Sequence, residues 1–108
     1  MKKTTTDPNL EGIKSLLASM QNLTHQAVQQ YTPLVEALIL SKTKDEYNIQ
    51  HLLDGILDFC FDDKMLLLFK KLCRYYYYIN PEATADYVHY YREMWDEDYT
   101  SPEHAALN

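Results

Sequence analysis

Apolar residues recur at steps of three and four along most of this chain, which is the spacing that places them on one face of a helix. The clearest case is the segment 62–80, where six residues share such a face: Met65, Phe69, Leu72, Cys73, Tyr76 and Ile79. At 100° per residue, Leu67 and Tyr78 fall on the opposite side. A helix that is apolar on two sides is usually buried on both. The pattern therefore predicts that 62–80 is the central helix of the fold.

Both ends of this segment carry residues that begin or stop a helix. Asp62 can accept a backbone N–H bond as an N-cap, and Asp63 places negative charge in the first turn, where the helix dipole favours it. Asn80 precedes Pro81, and a residue before proline is pushed out of the helical conformation. No residue between them breaks a helix, so a single helix is predicted.

An earlier apolar stripe predicts a long first helix. Asp7 and Pro8 have the pattern of a helix start, a cap followed by proline at the first helical position. Seven residues at helical spacing follow them: Leu10, Ile13, Leu17, Met20, Leu23, Ala27 and Tyr31. Pro33 interrupts the segment, although the apolar residues beyond it keep the same phase. Proline removes one backbone hydrogen bond, so the helix is predicted to be either kinked or broken at Pro33.

A second helix is predicted for residues 46–61. Thr43 and Glu46 have the spacing of a capping box, in which the two residues satisfy free N–H groups at the helix start. The core face of this helix is predicted to hold Ile49, Leu52, Leu53, Ile56, Leu57 and Cys60. Gly55 falls on the outer face, where glycine costs about 1 kcal/mol relative to alanine. The short link at Asp62 predicts an antiparallel hairpin with the central helix.

The last helix is predicted to begin at Asn80 and Pro81 and to end near Trp95, which anchors it. Its shared apolar face holds Tyr87, Tyr90, Tyr91 and Met94. The sequence thus predicts an all-α fold, a small bundle of four helices, or five if Pro33 divides the first. At 108 residues the chain is expected to form a single helical domain, 1–108, with flexible tails at 1–6 and 99–108.

Charge is distributed unevenly along this acidic, tyrosine-rich chain. The formal net charge is −6, which disfavours general binding to nucleic acid. Residues 64–81 nevertheless carry four bases and no acid, whereas the segments before and after them are acidic. The simplest interpretation is internal charge complementarity. The alternative is a small nucleic-acid-associated regulator that uses the basic helix 64–74.

The chain is predicted to be cytoplasmic. Its first residues contain no apolar core of a signal peptide, and no apolar run approaches the length needed to cross a membrane. Cys60 and Cys73 both lie on predicted apolar faces, which favours buried free thiols in a reducing compartment.

Two helix faces combine carboxylates with histidine. His51, Asp54 and Asp58 share a polar face of the second predicted helix, and Asp86, His89 and Glu93 share one of the last helix. Oxygen and imidazole ligands can hold a divalent cation, so a metal-dependent enzyme is a further alternative. A solvated acidic face accounts for the same residues. No cofactor is expected, because no nucleophile motif, glycine-rich phosphate loop or zinc spacing occurs.

Four consecutive tyrosines, Tyr75 to Tyr78, cannot all face the core, because consecutive helical residues are 100° apart. Tyrosine beside arginine and lysine suits protein recognition. We therefore predict a non-enzymatic interaction or adaptor module that self-associates, for example as a homodimer, or binds another protein. The predicted contact surface comprises Leu67, Lys71, Arg74, Tyr75, Tyr78, Tyr91 and Trp95.

Overall fold

Four helices, with no strand, make up the part of the chain that the computed structural model describes, residues 8–96 and 98. They are α1 (Pro8–Ser41), α2 (Glu46–Leu57), α3 (Asp63–Tyr77) and α4 (Pro81–Trp95). The predicted all-α class is therefore confirmed. The predicted tails, 1–6 and 99–108, lie outside the described residues.

The first helix continues past Pro33 as one helix of 34 residues, so the proline does not end it. Proline cannot donate the bond that would normally reach back one turn. Next to it, the Thr32 hydroxyl donates to the Val28 carbonyl at 2.7 Å. The predicted bend at Pro33 stays a prediction.

Helix α3 contacts each of the other three helices. Its inward face supplies much of the core, and six of its residues are buried: Met65, Leu68, Phe69, Leu72, Cys73 and Tyr76. This face matches the apolar spacing in the sequence, except that Leu68 joins it and Ile79 is only partly buried. The central segment of the sequence is thus also the helix around which the others pack. The expectation that it is buried on both sides is wrong, because Leu67 and Tyr78 are exposed.

The cap predictions are right for two helices and wrong for one. Asp62 caps α3 by accepting from Lys64 and Met65, and Asn80 caps α4 by accepting from Ala83. The predicted capping box of α2 is wrong, because Asp45 is its N-cap. The Thr43 hydroxyl instead accepts the backbone N–H of Asp45.

Glu46, at the start of α2, uses its carboxylate in a polar cluster with the end of α3. Tyr76 donates its hydroxyl to Glu46 Oε1 at 2.5 Å, and the Asn80 amide donates to the same oxygen at 2.8 Å. Gln50 donates in turn to the Tyr76 hydroxyl at 2.7 Å. These bonds place the start of α2 beside the end of α3, so the two helices run antiparallel, as predicted.

Helix α4 is tied to α2 by hydrogen bonds along its length. The Tyr87 hydroxyl donates to the Asp54 carboxylate at 2.7 Å. At the far end, the Trp95 indole N–H donates to the Leu57 carbonyl at 2.9 Å. Because these contacts advance together along both helices, α4 runs parallel to α2.

Gly55 does not lie on an open outer face, as the sequence suggested, but against Tyr31 of α1. A Cβ placed on Gly55 would lie 2.1 Å from the Tyr31 hydroxyl oxygen. It would also lie 2.8 Å from the ring carbon that bears this oxygen. The glycine therefore allows the close approach of α1 to α2.

We expect Gly55→Ala to destabilise the protein by about 1–3 kcal/mol, because the tyrosine ring must move. Helix propensity alone predicts the opposite effect, a gain in stability of about 1 kcal/mol. Gly12→Ala is the matched control, since nothing lies within 4 Å of its added Cβ, and it should not destabilise. Urea denaturation of the two variants measures the difference. A stabilised Gly55→Ala protein would contradict the prediction and show that the Tyr31 ring moves aside at little cost.

Candidate interaction surface

One side of α3 faces solvent and carries both apolar and basic side chains. Leu67, Lys71, Arg74 and Tyr78 follow one another at steps of four, three and four, so they share this side. All four are exposed, Leu67 at 65% and Tyr78 at 84%. We call these four residues the α3 face. They are the part of the predicted contact surface that the structure brings together in solvent.

The basic residues of α3 have no acidic partner among the described residues. The ion pairs in this part of the chain are His89 with Glu93 and Arg92 with Asp96, both within α4. Lys64, Lys70, Lys71 and Arg74 are all exposed. The internal charge complementarity suggested by the sequence is therefore not found here, and the four cations remain available to another molecule.

An open groove of about 490 Å³ separates α3 from α4 and adjoins the α3 face. Arg74 and Tyr78 belong to both the groove and the α3 face. The apolar lining consists of Leu66, Phe69, Cys73, Tyr77, Val88 and Tyr91, and the charged lining of Lys70, Arg74, Arg92 and Asp96. Phe69 and Tyr91 pack together with ring centroids 5.7 Å apart. The groove therefore offers aromatic and aliphatic surface with an excess of positive charge.

A smaller hollow of about 280 Å³ lies on the other side of α3, where α1 passes it. Its lining consists of Glu36, Ile39, Leu40 and Lys71, so an acid and a base face the same hollow. Leu40 is 81% exposed. The surface beside the α3 face thus carries both apolar and charged side chains.

Three residues predicted for the contact surface instead hold the bundle together. The Tyr75 hydroxyl donates to the Thr43 carbonyl at 2.6 Å, which links α3 to the loop before α2. Trp95 donates to α2 and packs on Phe61, with ring centroids 5.4 Å apart. Tyr91 is half-buried on Phe69, although its ring also lines the groove.

The residues proposed as metal ligands do not gather into a site. The part of the chain that the structure describes holds no group of three or more His, Cys, Asp or Glu placed to bind a metal ion. Asp54 accepts from Tyr87, His51 stacks on Tyr47, and His89 pairs with Glu93. Asp58 and Asp86 are exposed.

Both cysteines are free and buried. Burial raises the pKa of the Cys60 thiol to about 12, with smaller contributions from Cys73 and Asp58. Burial alone raises the pKa of the Cys73 thiol to about 12. A thiol reacts as its thiolate, so these two are poor nucleophiles at neutral pH.

One exposed surface, on the first part of α1, was not predicted from the sequence. Every residue from Leu10 to Leu23 is exposed, including the apolar residues that hold one helical face. The apolar face of α1 is first buried at Thr24 and Ala27. Periodicity showed that this stripe exists, but it could not show where along the helix the bundle begins.

Comparisons with protein-family models, curated proteins and solved structures find no match to this chain. Within the described residues, no helix combines the length and apolar character needed to cross a membrane.

Proposed function

We propose that this protein is a non-enzymatic interaction module that binds a protein segment on the α3 face and the adjoining groove. The observation that carries the proposal is the joint exposure of apolar and unpaired basic residues on α3. Contiguous exposed apolar surface tends to mark interaction sites. Arginine and tyrosine beside a groove are also the residue types that dominate binding energy at interfaces.

The chemistry of the surface defines the partner. Lys70, Lys71 and Arg74 favour acidic side chains, and the groove favours large apolar ones. An amphipathic helix with an acidic rim fits both requirements, because such helices lay their apolar face into a groove. The basic rim would mainly raise the rate of association and align the segment, whereas the apolar contacts would supply most of the affinity.

Photo-crosslinking tests the proposal in the cell of origin. A photoreactive amino acid at position 67 or 78 should give a covalent protein adduct, whereas the same group at the exposed position 86 of α4 should not. Arg74→Glu should weaken the adduct severalfold, and added salt should weaken it further, because the rim charges are solvent-exposed. Circular dichroism should show an unchanged fold, since Arg74 is exposed.

An adduct of two identical chains would identify a second copy as the partner, in line with the predicted self-association. Absence of any protein adduct from positions 67 and 78 would overturn the proposal.

Nucleic-acid binding is the second candidate, because α3 carries four exposed cations without partners in the described residues. The net charge of −6 opposes it, and Leu67 and Leu40 have no role in binding phosphate. A labelled RNA or DNA that binds at low salt, and is released steeply as salt rises, would favour this candidate. Loss of that binding in Lys71→Glu would locate it on α3.

A further inference from the structure

The first part of α1, residues 10–23, stands clear of the bundle and forms what we call the α1 arm. It exposes six large apolar side chains between 42% and 60%: Leu10, Ile13, Leu16, Leu17, Met20 and Leu23. This leaves on the order of 500 Å² of apolar surface on one helix. Such an area matches the largest apolar patches of monomeric proteins, which are often functional.

The apolar stripe of the arm has the alternating spacing of a coiled coil. Leu10, Ile13, Leu17 and Met20 are separated by three, four and three residues, and Thr24 and Ala27 continue the alternation. Thr24 and Ala27 are buried against the bundle. We call this apolar stripe of α1 the seam. Helices α2 and α3 cover the seam along the later part of α1, whereas on the arm it is exposed.

We infer that the α1 arm pairs with the α1 arm of a second copy of this chain, in antiparallel orientation. Charge favours a copy over a strongly charged partner. The arm carries one acid, Glu11, and one base, Lys14, so its net charge is zero. It has nothing to attract an acidic segment, an anionic lipid surface or nucleic acid. Two identical arms can associate without net repulsion.

The antiparallel orientation follows from the space around the arm. In a parallel pair, the partner helix would run on past Thr24 and Ala27, where the seam is already covered by the bundle. It would collide with that bundle. In an antiparallel pair, the two bundles lie at opposite ends and do not meet.

One register of the antiparallel pair covers the whole open seam. It places Leu10 of one copy against Met20 of the other, and Ile13 against Leu17, and the two-fold symmetry repeats both contacts. Leu16 then lies beside the two-fold axis. Layers that pair positions in this way are those of a two-stranded coiled coil.

The base of the arm provides a place for the end of the partner helix. A groove of about 470 Å³ lies there, lined by Leu17, Met20, Thr24, Val28 and Phe61 together with four polar residues. In the proposed register, Leu10 of the partner lies beside Met20, at the mouth of this groove. A pair that buried the apolar surface of both arms would remove about 1,000 Å², the lower limit for a specific interface, so a weak dimer is expected.

Sedimentation equilibrium of the full chain between about 1 and 200 μM tests the inference in the range where such interfaces dissociate. The mass should approach twice the 12.8 kDa of one chain at the upper concentrations. Leu17→Glu should weaken the dimer more than tenfold, and Ile13→Glu should do the same. Ala18→Glu, on the opposite side of the same arm, is the matched control and should leave the dimer intact. All three positions are exposed, so folding should be unaffected.

Disulfide trapping tests the orientation. A mixture of Leu10→Cys and Met20→Cys proteins should form a disulfide between the two, and the native thiols should take no part because both are buried. A disulfide between two Leu10→Cys chains, with none between positions 10 and 20, would overturn the antiparallel register. A wild-type monomer at 200 μM, or a dimer that Leu17→Glu leaves intact, would overturn the inference itself.

This inference does not depend on the α3 face. Leu67→Glu should leave the dimer unchanged while it removes the adducts from the α3 face, and Leu17→Glu should do the reverse. If Leu67→Glu abolished the dimer and Leu17→Glu preserved it, the contact between copies would lie on the α3 face, and the proposed role of the arm would be wrong.

Discussion

Replacing Tyr76 with alanine is expected to lower the free energy of unfolding by about 3–5 kcal/mol, the usual cost of removing a buried aromatic ring. The side chain is fully buried, at 0% exposure. Total stabilities of small domains are about 5–15 kcal/mol, so this variant should unfold far more readily. Thermal unfolding followed by circular dichroism should show a fall in Tm of more than about 10 °C.

Tyr78→Ala is the matched control for Tyr76→Ala. It removes the same side chain two residues away, at the C-cap of the same helix, from a position that is 84% exposed. Substitutions at such positions usually change stability by less than about 0.5 kcal/mol. Equal losses in the two variants would contradict the assignment of Tyr76 to the core and Tyr78 to the surface.

The pH dependence of the Tyr76→Phe variant separates the stability contributed by the hydroxyl from the stability contributed by the ring. The hydrogen bond from Tyr76, followed by that from Asn80, lowers the pKa of the Glu46 carboxyl below its ordinary value of 4.5. A carboxyl whose pKa is lowered by folding stabilises the folded state at pH values above its ordinary pKa. This stabilisation is lost as the pH falls through the folded-state pKa. Tyr76→Phe should therefore destabilise the protein less at pH 3 than at pH 7. An equal loss at both pH values would show that the hydroxyl does not act through Glu46.

Trp95→Ala is expected to cost about 2–3 kcal/mol, because the half-buried indole packs on Phe61 and donates to the Leu57 carbonyl. This substitution would remove the contact that joins the end of α4 to α2. Met94→Ala, at the neighbouring exposed position, should cost much less. Trp95→Phe keeps one ring but removes the N–H donor and part of the indole's contact area, so it should cost about 1–2 kcal/mol, less than Trp95→Ala. Urea denaturation followed by circular dichroism measures all three.

The Trp95 result also decides between two roles for this residue. The sequence predicted that Trp95 belongs to the contact surface, whereas the structure places it in the contact between α4 and α2. A Trp95→Ala protein with full stability, but without adducts from position 78, would restore the sequence-based interpretation. A destabilised protein that still forms those adducts would support the structural role.

For the candidate surface, the outward side of α3 follows from the sequence because that side is the complement of the buried face, and its role as a contact surface stays a prediction. Leu67, Lys71, Arg74 and Tyr78 are exposed as a group for this reason. Tyr75 and Trp95 lie on the flanks of their helices, where spacing alone does not reveal a partner. Their bonds reach Thr43, 32 residues earlier in the chain, and Leu57, 38 residues earlier.

By itself, the sequence determined the helical class, the inward face of α3 and the caps at Asp62 and Asn80. These depend on residues within a few positions of one another, and the geometry of one helix relates them. Only the tertiary structure decided that Gly55 receives the Tyr31 ring, that Glu46 binds Tyr76, and that the α1 arm extends beyond the bundle. Each of these depends on which distant segments meet and how far their contact extends. Periodicity along a single helix carries no information about either.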